Sequence, residues 1–204
     1  MSPARVSATA DPVRPLETCM TDSPLTRAVA ALRAGGVIAY PTEAVWGLGC
    51  DPRNAAALQR LLALKERPAR KGLILVAAGF EQLRPFLQPL PADREAAILA
   101  TWPGPVTWVW PAAADVSPLL RGEHDTLAVR VSDHPLVAAL CEAWGGPVVS
   151  TSANRSGEAP ARTREAVEAQ FGDALDAILD GPTGGRERPS EIRDARSGRI
   201  LRAG

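Results

Sequence analysis

The chain has 204 residues, 46% of them apolar and only 4% aromatic, enough to bury the core of one domain. Its 23 basic and 23 acidic residues cancel, which argues against a protein that coats nucleic acid through bulk charge and leaves room for a local basic groove. No apolar run approaches the ~20 residues that span a bilayer, and residues 1–20 lack the apolar segment of a signal peptide.

Cys19, Cys50 and Cys141 are odd in number and far apart, with no CxxC or Cys/His spacing. Neither a disulfide framework nor a zinc site is indicated, and a reducing, cytoplasmic setting is expected. Residues 1–20 are rich in Pro, Ala, Ser and Thr without periodicity and read as a disordered extension, with Met20 as an alternative start. The folded part is expected over 21–204.

From there, Ser23 as cap, Pro24 at the first helical position and Gly35-Gly36 as terminator predict a helix. Val37-Ile38-Ala39-Tyr40 reads as a strand, followed by a loop from Pro41 to Cys50. Asn54 caps a second helix, 55–66, which Pro68 ends. Leu73 to Val76 is a buried strand, then come helices near 80–87 and 92–101 and strands at Val106–Trp110 and Leu127–Val131. Asp133-His134-Pro135 reads as the entry turn of a helix reaching Trp144. Val148-Val149, a helix at 163–171, a strand at Ala177–Leu179 and a hairpin turn at Ser197-Gly198 complete the pattern. Strands and helices alternating at these lengths mean an α/β sheet with helices packed on it.

Only two of the basic residues are lysines, Lys65 and Lys71, and both lie where five bases from Arg60 to Lys71 face Glu66 alone. That excess suits an anionic ligand, although cations at a helix end complement the helix dipole equally well. No GxxxxGK[ST] occurs, and Gly47-Leu48-Gly49 lacks the third glycine of the dinucleotide fingerprint, so a phosphate site has to be built differently. With two isolated histidines, a His-based triad is a poor fit.

Two polar segments stand out. Tyr40-Pro41-Thr42-Glu43 follows a strand, where open α/β sheets place ligands, and reads either as a grip for an amino acid or ribose or as a capped turn. Ser150-Thr151-Ser152-Ala153-Asn154-Arg155-Ser156-Gly157 is dense in donors suited to an anion or an adenine edge, and a serine-rich loop satisfied by its own backbone would look similar. Trp102-Pro103-Gly104-Pro105-Val106-Thr107-Trp108-Val109-Trp110 reads mainly as turn and core, with Trp108 and Trp110 on one sheet face. Arg130 interrupts the apolar run Leu127–Val131 and needs a partner, because an unpaired buried guanidinium is costly.

Taken in order, Tyr40-Pro41-Thr42-Glu43 with Gly47-Leu48-Gly49, Lys65-x-Arg67-Pro68, Pro103-Gly104-Pro105-Val106-Thr107, Ala128-Val129-Arg130-Val131 with His134-Pro135, and Ser152-x-Asn154-x-Ser156-Gly157 closely resemble the YrdC-like family in its short bacterial form. The resemblance covers about residues 24–204. It implies one α/β domain, a twisted, mixed, open sheet with helices packed on it. It also implies synthesis of L-threonylcarbamoyl-AMP and pyrophosphate from L-threonine, bicarbonate and ATP, with Mg2+ bridging phosphates. The threonylcarbamoyl group would then go to adenosine 37 of tRNA through TsaB, TsaD and TsaE-type proteins.

By the same resemblance, Lys65, Arg67, Ser152 and Asn154 are the catalytic set. ATP falls to Lys65, Arg67, Ser150, Ser152 and Arg202, with Lys71 added by position and charge alone. Threonine falls to Thr42, Arg130 and Ser190, with an adjacent phosphate as the alternative for Arg130. Longer relatives carry a second hydroxyl residue and a histidine where this chain has Ala44 and about Val76. The alternative reading is an RNA-binding module, with the Arg60–Lys71 cluster, Arg155, Arg162 and Arg164 on phosphates and no chemistry of its own.

Overall fold

The computed structural model describes residues 23–204, so the expected extension at 1–20, the Met20 start and Cys19 lie outside the described residues. The first helix, α1 (Pro24–Arg33), begins as its sequence dictates: the Ser23 hydroxyl accepts from the Thr26 amide at 3.1 Å. Then follow β1 (Ile38–Pro41), β2 (Trp46–Gly49), α2 (Ala55–Leu64), β3 (Ile74–Ala77), α3 (Phe80–Leu83), α4 (Ala92–Leu99), β4 (Val106–Pro111), α5 (Pro118–Arg121) and β5 (Thr126–Val131). The order closes with α6 (Pro135–Trp144), β6 (Val148–Ser152), α7 (Arg164–Phe171), β7 (Ala177–Ile178), β8 (Glu191–Asp194) and β9 (Ile200–Arg202).

The strands form one open, mixed, nine-stranded sheet in the order β7-β1-β2-β6-β3-β5-β4-β8-β9. β1 pairs parallel with β7, β3 with β5 and β4 with β8, while the remaining neighbours are antiparallel. Side chains alternate across a strand, and β1 shows the outcome. Ile38 and Tyr40 pack with α1 and α6, whereas Val37 and Ala39 join the larger core over α2 and α7. Trp108 and Trp110 share that larger core, as their two-residue spacing predicts.

Three local expectations change. The segment after Pro41 is not all loop, because Trp46–Gly49 forms a strand paired to both β1 and β6. Its glycines serve close packing: a Cβ on Gly49 would lie 2.3 Å from the Val149 carbonyl and 2.8 Å from the Tyr40 ring. The helix expected near 80–87 is broken into α3 and a separate 3-10 turn at Arg84–Phe86, since Pro85 lacks the amide that a continuous helix needs. The strand at Val148-Val149 runs on to Ser152, so the first three residues of the hydroxyl-rich segment are sheet.

Candidate active site

A cleft of about 320 Å³ opens over the middle of this sheet. Its floor includes Gly47 at the start of β2, Ile74 of β3 and Ser150 to Ser152 at the end of β6. Glu43 reaches it from the turn after β1 and Arg130 from β5, two strands separated in the sheet by β2, β6 and β3. Across a flat sheet those strands would stand about 19 Å apart. Twist and the inward fold of the turn close that gap.

What holds the two together is a buried ion pair. Arg130 Nη2 donates to Glu43 Oε2 at 3.1 Å, and Ser132 Oγ donates to Glu43 Oε1 at 2.7 Å. Burial works to raise the Glu43 pKa, but the Arg130 charge and the Ser132 hydrogen bond outweigh it and hold the carboxyl below its ordinary value. Arg130 Nη1 also donates to Thr107 Oγ1 at 3.1 Å and Ser190 Oγ at 3.0 Å, leaving Nε without a partner among the described residues. Arg130 and Ser190, expected together, are in contact. Thr42 lines the same end, yet its hydroxyl donates to the Val45 carbonyl at 2.6 Å, so it also acts as the cap of its own turn.

At the other end α2 stops at Lys65, with Glu66 at φ +51° turning the chain back before Pro68. Lys65 is 4% exposed and is not among the residues lining the cleft. Its ammonium donates to the Ser152 carbonyl and, at 2.7 Å, to the Asn154 carbonyl, while its own carbonyl accepts from the Ser156 amide at 2.9 Å. Burial first, and then the Arg67 charge, push its pKa down to about 8. Ser152 Oγ donates to Asn154 Oδ1 at 2.6 Å, and Asn154 Nδ2 binds the Arg155 and Glu158 carbonyls. The structure thus brings Lys65, Ser152 and Asn154 into one braced turn, of which Ser152 faces the cleft. Arg67 lines the cleft as expected, held by the Gly72 carbonyl at 2.9 Å, whereas Lys71 is exposed on a 3-10 turn outside it.

Ser150 is buried on the cleft wall, and Arg202 of β9 joins it with Nη2 on the Ser190 carbonyl at 2.7 Å. Two lining residues, Arg186 and Arg188, carried no motif, because they sit in a Gly/Pro-rich coil without periodicity. Five guanidiniums therefore line the cleft; Glu43 answers Arg130 and Asp133 answers Arg186, while Arg67 and Arg202 are held by carbonyl oxygens. Such a surface takes a polyanion. It does not fit a resident metal: no group of three His, Cys, Asp or Glu gathers among the described residues, and Glu43 is committed to Arg130 and Ser132.

The arginines of the RNA reading behave differently. Arg60 pairs with Asp176, Arg155 with Glu66 and Arg164 with both Glu168 and Asp180. Carboxylates answer these three, whereas Arg162 donates to the Glu187 carbonyl and Arg67 lies in the cleft.

The Sua5/YciO/YrdC family model, described as telomere recombination, matches residues 30–204. A Stenotrophomonas maltophilia protein named threonylcarbamoyl-AMP synthase is 58% identical over 186 residues, 90% of this chain and 100% of the relative. A Halorhodospira halophila protein of the same name is 59% identical over 175 residues, 86% of this chain and 92% of the other. The crystal structure of P. abyssi Sua5 complexed with L-threonine superposes with a TM-score of 0.77 at 34% identity, over 82% of this chain and 49% of that one. This chain spans about half the length of that Sua5. E. coli YciO superposes with a TM-score of 0.77 at 25% identity, over 88% of each chain.

Proposed function

The chain belongs to the Sua5/YciO/YrdC family, and on that basis we infer that it makes L-threonylcarbamoyl-AMP and pyrophosphate from L-threonine, bicarbonate or CO2, and ATP. The observation that carries this reading is a cleft lined by five arginines, of which carboxylates answer Arg130 and Arg186 while Arg67 and Arg202 are held only by carbonyl oxygens, in a chain whose overall charge is zero. Such an excess accommodates a triphosphate and the carboxylate of an amino acid together.

The amine of threonine first captures CO2 to give a carbamate. A carbamate oxygen then attacks the α-phosphorus, and pyrophosphate leaves with the bonding electrons. Chemistry of this kind needs alignment and neutralisation of spreading negative charge more than covalent help. Arg130, with its unpartnered Nε, and Ser190 take the threonine carboxylate, and Thr42 lines the same end. Arg67 and Arg202, held only by carbonyl oxygens, keep their charge available for phosphates. Ser150 and Ser152 orient phosphate oxygens from the end of β6. Lys65 and Asn154 brace the turn that carries Ser152. Lys71, outside the cleft, takes no part. Mg2+ would come with the phosphates of ATP and would neutralise part of their charge.

The product feeds threonylcarbamoyl transfer to adenosine 37 of tRNA by TsaB, TsaD and TsaE-type proteins in the cytoplasm. No helix among the described residues is long and apolar enough to cross a membrane. The test is pyrophosphate release measured with and without L-threonine. Release that requires threonine supports the reading, and release indifferent to it refutes it.

A further inference from the structure

Arg130 begins a segment that continues through Ser132, Asp133 and His134. Each polar residue after it also holds something over the cleft. Ser132 holds Glu43, as described. Asp133 Oδ2 accepts from Arg186 Nη2 at 2.5 Å. His134 Nε2 lies 3.1 Å from the Pro182 carbonyl, which only accepts, so Nε2 carries the ring hydrogen and the buried Nδ1 is left without a partner.

Both grip points fall on residues 181–190, a coil between β7 and β8 with no helix or strand of its own. This strap lies directly on the turn after β1. The Gly184 amide donates to the Thr42 carbonyl and the Arg186 amide to the Glu43 carbonyl, each at 3.0 Å. A Cβ on Gly184 would lie 3.0 Å from the Glu43 carbonyl oxygen, so a side chain there would crowd the turn. At its end the strap delivers Ser190, whose hydroxyl meets both Arg130 and Thr107 at 3.0 Å.

We propose that Asp133 and His134 are positioning residues for the threonine end of the site, latching the 181–190 strap so that it presents Ser190 to Arg130 and covers the Pro-Thr-Glu turn. The proposal rests on the reading of Thr42, Arg130 and Ser190 as the threonine side. A coil of this length pays conformational entropy to stay in place, and it has no ladder of its own to offset that cost. The latch sets the fraction of molecules with the strap down, and apparent affinity for a ligand that needs it down falls in proportion to that fraction. The exposed Asp133–Arg186 pair adds little to global stability. Its loss is therefore read in binding and local opening rather than in unfolding.

Steady-state kinetics with threonine and ATP varied separately, together with amide hydrogen exchange over 182–190, test this. Asp133→Ala is expected to raise KM for threonine about tenfold while KM for ATP stays within about twofold, with faster exchange in the strap and an unchanged melting temperature. Arg186→Ala gives the same faster exchange in the strap and the same direction of change in KM for threonine, and the double variant exchanges no faster than either single, because the two residues act as one latch. His134→Gln, which keeps a donor for the Pro182 carbonyl, retains more threonine affinity than His134→Ala. Equal rises in both KM values, additive increases of strap exchange in the double variant, or an active Asp133→Ala with wild-type threonine affinity would each overturn the proposal. A wild type without threonine-dependent turnover fails at the parent reading, and the proposal falls with it.

Discussion

Arg130 and Glu43 lie 87 positions apart in sequence and meet in the cleft. That Arg130 needed a partner was legible from a guanidinium inside an apolar run. That the partner is Glu43 was not, because the meeting depends on how the sheet twists. Replacing Arg130 with Met leaves Glu43 buried without its counter-ion and is expected to cost roughly 3–5 kcal/mol in urea unfolding, part of it recovered on adding Glu43→Gln. Losses that simply add would contradict the pairing. Lys65 was legible as a rare lysine within a motif, whereas its place behind the Ser-x-Asn turn was not. Lys65→Ala is expected to abolish threonine-dependent pyrophosphate release while circular dichroism stays native, and near wild-type release would remove Lys65 from the account. Its pKa near 8 fixes a sign. The native state sheds this proton before the unfolded chain does, so the group's contribution to stability rises with pH from about 8 to about 10. Because the charged form clamps the turn, turnover is expected to fall on the alkaline side near pH 8, and a profile flat to about pH 9 would exclude that role.

Most elements were readable from capping and periodicity, as Ser23, Asn54 and Pro68 illustrate. β2 was not, since glycine is a poor strand former and Gly47-Leu48-Gly49 invites a loop reading. The physical reason for Gly49 is the neighbouring backbone of Val149 and the Tyr40 ring, which leave no room for a side chain. Gly49→Ala therefore overpacks the sheet centre, with an expected loss of about 1–3 kcal/mol in denaturant unfolding. A neutral result would mean that β2 and β6 are farther apart than described. The strap at 181–190 was the least legible segment, because no periodicity marks a coil whose order comes from contacts distant in sequence.

For the molecule as a whole, neutrality hid the relevant charge. Twenty-three bases and twenty-three acids say nothing of a cleft where five arginines gather, and only the fold shows that Arg67 and Arg202 lie there held by carbonyl oxygens while Arg60, Arg155 and Arg164 have carboxylate partners outside it. The RNA-binding alternative predicts affinity that falls steeply with salt and no dependence of ATP turnover on threonine. The decisive measurement is mass spectrometry of the product formed from ATP, L-threonine and 13C-bicarbonate by the purified protein. An adenylate carrying both the threonine and the labelled carbon is the predicted result. ATP left intact, or an adenylate without the label, would contradict it.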